Sequence, residues 1–193
     1  MFIGLTGGIG SGKSTVLGFF EKQNWNTIEA DSIVHSLYSD TGSDFFSSLI
    51  NRWGKVILNN TGRIDRGTVS QIIFSSETER EWIHCLLHPA VLNKALRLKQ
   101  ESEYVIFAVP LLYEVKWEKH FDKIVSVWTT PELCRERLLK RGLTQIEIER
   151  RQRAQMPQDE KLEKADYALM NNGSPDMLKK QCIRLSTELK KII

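Results

Sequence analysis

The residues that could do chemistry begin near the start of the chain. Gly7-Gly8-Ile9-Gly10-Ser11-Gly12-Lys13-Ser14 fits the pattern Gly-x-x-x-x-Gly-Lys-Ser/Thr at every fixed position. A polyphosphate needs several backbone N–H groups converging on it, and glycine lets the backbone turn inward without a Cβ clash. The helix expected to start near Lys13 aims its N-terminal dipole at such an anion. Lys13 can place a point charge on β- and γ-phosphates, and Ser14 can offer its hydroxyl to Mg²⁺. Gly8, Ile9, Gly10, Ser11, Gly12, Lys13, Ser14 and Thr15 are therefore the candidate nucleotide-binding residues. The competing explanation is a glycine-rich turn that binds nothing. An apolar stretch before the loop and an amphipathic one after it favour the phosphate cradle.

Asp31 is the next candidate. A first helix of about 11 residues travels roughly 16 Å away from the loop. A return strand of about five residues covers roughly 17 Å back. Asp31 is thereby expected at the carboxyl end of the second strand, beside the γ-phosphate, where open α/β sheets bind ligands. A carboxylate there can accept a proton from an attacking hydroxyl or hold Mg²⁺ through water. As Asp31-Ser32 precedes a helical stretch, a helix-capping role is the alternative, and the two can coexist. Arg137 and Arg141 lie four apart and share a helix face, while Arg150 and Arg153 lie three apart. Arginines stabilise the charge spread over a transferring phosphoryl group, so Arg137 or Arg141 is expected to clamp ATP phosphates. A solvated basic face balanced by Glu136, Glu147 and Glu149 is the alternative. His84, Cys85 and His88 could mimic metal ligands on one helix face, but no fourth ligand is apparent and Pro89 breaks the segment, so His88 is read as packing or hydrogen-bonding at a helix start.

The elements that must position these groups alternate. Short apolar strands are expected at Phe2–Thr6, Thr27–Ile28, Tyr104–Val109, Ile124–Trp128 and Tyr167–Met170. Helices are expected at Ser14–Asn24 and Pro131–Arg141. A last helix is capped by Ser174-Pro175 and carries the stripe Leu178, Cys182, Leu185, Leu189 and Ile192. Strands separated by helices argue for an α/β fold whose parallel sheet is covered on both faces, a three-layer α/β/α arrangement. Two regions stand outside that alternation. Residues 32–103 hold about four helical stretches, with a break expected at His88-Pro89, and read as an inserted helical domain. Residues 142–164 are helical and charge-dense and read as a mobile lid. Residues 1–31, 104–141 and 165–193 then make the nucleotide-binding core.

Composition narrows the classes. The chain has 193 residues, 27 Lys plus Arg against 24 Asp plus Glu, and a net charge of +3. That balance is too mild for a nucleic-acid wrapper or a polybasic membrane anchor. Three scattered cysteines make neither a disulfide framework nor a zinc ribbon, and fit a reducing compartment. The longest apolar run, Val105 to Tyr113, is interrupted by Pro110 and is about half of what a membrane helix needs. A cytoplasmic protein without nucleic-acid or membrane partners, monomeric or weakly oligomeric, is the expectation.

The motifs also resemble a family. Leu5 to Val16 looks like the phosphate loop of the dephospho-CoA kinases. Further matches follow in order: Glu29-Ala30-Asp31-Ser32-Ile33, Gly62-Arg63-Ile64-Asp65-Arg66, His88-Pro89-Ala90-Val91 and Val109-Pro110-Leu111-Leu112-Tyr113-Glu114. Arg153-Ala154-Gln155-Met156, Lys161, Ala165-Asp166 and Asn171-Asn172-Gly173 complete the set. The resemblance implies a P-loop kinase core with a five-stranded parallel sheet, a helical CoA-binding insert and a lid. It implies transfer of the ATP γ-phosphate to the ribose 3′-hydroxyl of dephospho-CoA, with Mg²⁺ as cofactor and Asp31 as base. It also implies that Asn172 belongs to a loop set against adenine. Asp31, His35, Arg63, Arg66 and Leu111 are the candidate acceptor-binding residues. The family often has Asp where Glu29 stands and Arg where His35 stands, so His35 is expected to be a weaker, pH-sensitive donor toward an acceptor phosphate. Arg63 and Arg66 flank Asp65 and could meet the acceptor's pyrophosphate; a turn held by an Asp–Arg pair is the alternative. The rival functions are another small-acceptor P-loop kinase, such as a nucleoside monophosphate kinase, and a non-catalytic nucleotide switch. No Asn-Lys-x-Asp guanine signature is present.

Overall fold

Five strands form one sheet because five short, β-branched or aromatic runs can be buried on both faces only beside one another. They are β1 (Phe2–Gly7), β2 (Asn26–Glu29), β3 (Val105–Ala108), β4 (Lys123–Trp128) and β5 (Tyr167–Met170). A computed structural model describes residues 1–192. All neighbouring strands are parallel, in the order β2-β3-β1-β4-β5. β1 is central and buried along its whole length. Strand register pairs Leu5 with Ala108 and Val125, so the carboxyl ends of the three inner strands lie side by side.

Alternation along β1 separates two faces. Ile3 and Leu5 join a cluster with Val16, Leu17 and Phe20 of α1 (Lys13–Glu21) and with Leu178, Cys182, Leu185 and Leu189 of α9 (Pro175–Leu189). Trp25 closes that cluster and donates its indole N–H to Ser186 Oγ at 2.8 Å. On the other face Phe2 stacks near Phe107 and Phe121, at 6.2 and 4.8 Å between ring centres. Gly4 has no room for a side chain there, since a Cβ would lie 2.7 Å from Leu112. Burying each large aromatic stabilises the fold by about 2–3 kcal/mol. α6 (Pro131–Lys140), α7 (Gln145–Arg153) and α8 (Gln158–Lys164) complete this unit, which comprises Met1–Glu29 and the chain from Glu101 onward.

Residues Ala30–Gln100 form a second compact unit. It contains α2 (Ala30–Ser39), α3 (Asp44–Trp53), α4 (Arg66–Ser75) and α5 (Glu77–Lys99). Ser43, Asp65 and Ser76 cap α3, α4 and α5 through their side chains, as their types favour. Trp53 and Trp82 meet edge to face at 5.1 Å, and Glu79 accepts from both Arg52 and the Trp53 indole. Topologically this whole unit is the crossover from β2 to its parallel neighbour β3.

Three local expectations are corrected. The helix does not break at His88-Pro89: α5 runs through Pro89, with Ile83, Val91 and Ala95 buried on either side of it. A mid-helix proline costs about 3 kcal/mol, and burial of the flanking apolar residues outweighs it. α1 ends at Glu21 rather than Asn24, which takes a left-handed conformation (φ 61°) to turn the chain into β2. Ile192 is 52% exposed and lies beyond the end of α9, so the buried stripe stops at Leu189.

Candidate active site

The glycine-rich loop leaves β1 at Gly7 and enters α1 at Lys13. Gly12 caps α1 in a left-handed conformation (φ 101°), and a Cβ there would lie 2.2 Å from Asn171 Nδ2. Both strain and space therefore require glycine at this position. The backbone N–H groups of Gly10, Gly12, Ser14 and Thr15 carry no protein hydrogen bond among the described residues. They are the orphan donors that a helix start leaves for an anion. Lys13 folds back over this cradle and donates to the carbonyls of Gly7 and Gly8, both at 2.9 Å.

Two further elements hold the loop. Asn171 follows β5 and donates from Nδ2 to Ser11 O at 2.7 Å. From α6, Arg137 Nη2 donates to Asn171 O at 2.9 Å, and Thr129 Oγ1 donates to the same carbonyl at 2.8 Å. Arg137 Nη1 is buried with no partner among the described residues. Burial raises the Cys134 thiol pKa, while the positive charges of Arg137 and Lys13 pull it down, so both cations lie within electrostatic reach of that thiol. An uncompensated donor fork beside free backbone N–H groups is the arrangement a phosphate requires. Arg141, by contrast, ends α6 as its exposed C-cap.

The region after α7 closes onto the loop from the other direction. Gln155 Oε1 accepts from Ile9 N at 3.2 Å, and Gln158 donates to Thr129 O at 2.7 Å. Lys161 of α8 is fully buried. It donates to Glu114 at 2.8 Å and to Pro110 O at 2.5 Å. Glu114 also accepts from Met156 N at 2.7 Å. Burial pushes the Lys161 pKa down, and the Glu114 carboxylate opposes that shift. α8 is thus tied to the turn that follows β3.

Magnesium prefers hard oxygen ligands and keeps much of its water shell. Ser14 fits that donor set, because its exposed hydroxyl sits on the first turn of α1 and makes no hydrogen bond among the described residues. No group of three or more His, Cys, Asp or Glu that could hold a metal exists among the described residues. His84 and His88 instead stack at 5.0 Å.

Residues 1–176 match the family model described as dephospho-CoA kinase. The chain belongs to the dephospho-CoA kinase family. A dephospho-CoA kinase of Aquifex aeolicus is 35% identical over 190 residues, covering 97% of this chain and 96% of that protein. The crystal structure of TT1252 from Thermus thermophilus covers 98% of the chain and 97% of its own at 28% identity, with a TM-score of 0.84. A dephospho-CoA kinase from Campylobacter jejuni, at 23% identity and TM-score 0.66, covers 97% of the chain and 96% of its own and shows the shared P-loop kinase fold.

In this dephospho-CoA kinase family member Asp31, His35, Arg63 and Arg66 lie in the second unit, and Leu111 and Asn172 in the first. Asp31 stands exposed in the first turn of α2, two residues past the end of β2. Asp31, Ser32, Val34, His35 and Arg66 line an open cavity of about 550 Å³. Arg66 Nη1 lies 3.3 Å from His35 Nδ1, and its guanidinium carbon lies 5.8 Å from the centre of the Tyr38 ring. Asp65 pairs with neither flanking arginine; it caps α4, accepting from Gly67 N and Thr68 Oγ1. Arg63 is exposed, and among the described residues only its backbone is engaged, in the turn organised by Asn59. Leu111 is 38% exposed. Asn172 accepts from Thr130 N at 3.0 Å, whereas its neighbour Asn171 reaches the phosphate loop. The sequence places Gln155 and Asn171 in motifs without giving either a contact, and it gives no sign of Gln158. Uncharged amides carry no spacing signal, and their partners lie more than a hundred residues away or in another loop.

Proposed function

We propose that this chain transfers the γ-phosphate of ATP to the ribose 3′-hydroxyl of dephospho-CoA, giving CoA and ADP, the last step of CoA synthesis. One observation carries the reading: a phosphate cradle with unpaired backbone N–H groups and an unpaired Arg137 donor occurs in a chain matched to this family over residues 1–176. The cradle holds the triphosphate through Gly8–Thr15. Lys13 exchanges its carbonyl partners for β- and γ-oxygens, and Arg137 places Nη1 on a phosphate oxygen. Arg141 adds a second guanidinium, and Asn172 helps frame the base. Ser14 would hold Mg²⁺ together with phosphates and water. When bound, the cation neutralises charge building on the β- and γ-oxygens.

Asp31 takes the proton as the 3′-oxygen bonds to the γ-phosphorus and the bond to the β-bridging oxygen breaks. His35, Arg63, Arg66 and Leu111 serve acceptor binding within the insert of residues 32–103, and residues 142–164 act as a lid that excludes water. The test is product analysis after incubation with MgATP and dephospho-CoA. CoA and ADP in equal amounts are expected. Turnover of AMP, CMP or shikimate without turnover of dephospho-CoA refutes the assignment. No helix among the described residues is long and apolar enough to cross a membrane.

A further inference from the structure

Arg66 begins α4 with its guanidinium over the Tyr38 ring and its Nη1 against His35 Nδ1 at 3.3 Å. An arginine has only donors and stays charged throughout the accessible pH range. The contact is therefore a hydrogen bond only when His35 Nδ1 carries a lone pair, so the ring is neutral with its proton on Nε2. A protonated His35 would instead set two cations against each other. Arg66 has no carboxylate partner among the described residues, because Asp65 spends its own on the cap of α4. Its charge is left for the cavity that it lines with Asp31 and His35.

From these contacts we infer that His35 is a positioning residue: its neutral Nδ1 accepts from Arg66 and holds that guanidinium toward the cavity, where Arg66, rather than His35, takes the diphosphate of the acceptor. This rests on the acceptor-binding reading given above and specifies its chemistry. The sign of the pH response is the consequence. A histidine that grips phosphate directly binds better as it gains a proton; one that must accept from Arg66 binds worse. Asp31 lies one turn earlier on α2 and Tyr38 one turn later. From α5, Lys94 donates to Ser36 Oγ at 2.8 Å, and α3 presents the Phe45 ring to Tyr38 at 5.3 Å.

The test is calorimetric titration of the full-length protein with dephospho-CoA alone, between about pH 5.5 and 8.5, where histidine changes charge. Omitting ATP removes its γ-phosphate titration, and the acceptor's diphosphate has no ionisation in this range. The dissociation constant should rise roughly three- to tenfold toward acid in the parent protein. His35→Asn keeps an acceptor near Nδ1 but cannot titrate, so the rise of its dissociation constant toward acid should disappear. Arg66→Ala should weaken binding by roughly ten- to a hundredfold. Nitrogen-15 spectra of the parent protein should show the Nε2–H tautomer of His35, a readout independent of binding. Tighter binding in acid, or an Nδ1–H tautomer, overturns the positioning role while leaving the acceptor site standing. Unchanged affinity in Arg66→Ala overturns the acceptor site itself.

Discussion

Replacing Arg137 with methionine separates nucleotide binding from folding, because the two effects on folding nearly cancel. The variant loses the bond from Nη2 to Asn171 O, a charged donor on a neutral carbonyl. Such a bond contributes about 1.5–3 kcal/mol. It also removes the buried, unpartnered Nη1, whose desolvation costs about 1–3 kcal/mol. Thr129 Oγ1 still satisfies the Asn171 carbonyl at 2.8 Å. The nucleotide-free variant should therefore stay within about 1 kcal/mol of the parent, a Tm shift of no more than about 4 °C. Binding has no such compensation. A charge-assisted bond to a phosphate oxygen is lost, so affinity for MgATP should fall about 10- to 150-fold. Melting curves read both effects together. At a nucleotide concentration about 100 times the parent Kd, the parent gains about 2.7 kcal/mol, and a variant binding about 30-fold more weakly gains only about 0.9. An Arg137→Met protein that binds MgATP within about twofold of the parent refutes the assignment of Nη1 to phosphate.

Other outcomes follow from the same geometry. Asp31→Asn should lower turnover by about 10²- to 10⁴-fold while leaving MgATP affinity within about twofold, measured by steady-state kinetics and calorimetry; full activity rules out Asp31 as base. Lys161→Ala strands the Glu114 carboxylate and should cost about 3–5 kcal/mol in denaturant unfolding, whereas Lys161→Met combined with Glu114→Leu should recover much of that loss. Burial favours the neutral form of Asp166, but hydrogen bonds from Lys123 and Ile124 N outweigh it and hold the carboxyl below the usual aspartate range. That stabilisation is present above about pH 4 and drains as pH falls through the lower folded value. Asp166→Asn should accordingly lose about 1 kcal/mol near neutrality, after allowance for solvent screening, and the difference in Tm should vanish in strong acid.

The parts legible in the sequence are those written in local periodicity or in a contiguous motif. Phe2–Thr6 reads as a buried strand because every residue of it is apolar or small, the observed strand runs one residue further to Gly7, and the loop announces itself by glycine spacing. Ser174-Pro175 marks the start of α9 because a capping hydroxyl and a fixed φ act within one turn. Pro89 misleads for the same reason: local propensity favours a break, and tertiary burial of Ile83, Val91 and Ala95 overrides it. The pairings of Glu114 with Lys161, Asn171 with Ser11 and His35 with Arg66 leave no trace in spacing. Each is made only when the chain returns to the same place, and charge or amide character alone does not choose a partner.

A parallel strand pair needs a return path of only about a dozen residues. The path from β2 to β3 is instead a self-contained helical body, Ala30–Gln100, with its own buried side chains. The sheet's hydrogen bonds therefore constrain only where that body is spliced in, at Glu29 and Glu101, and nothing about its contents. A foreign cassette ligated at those two junctions would replace Asp31 together with the rest of the helical body, so a transplant that is to keep the proposed proton acceptor must bring its own carboxylate to the start of the first helix after β2.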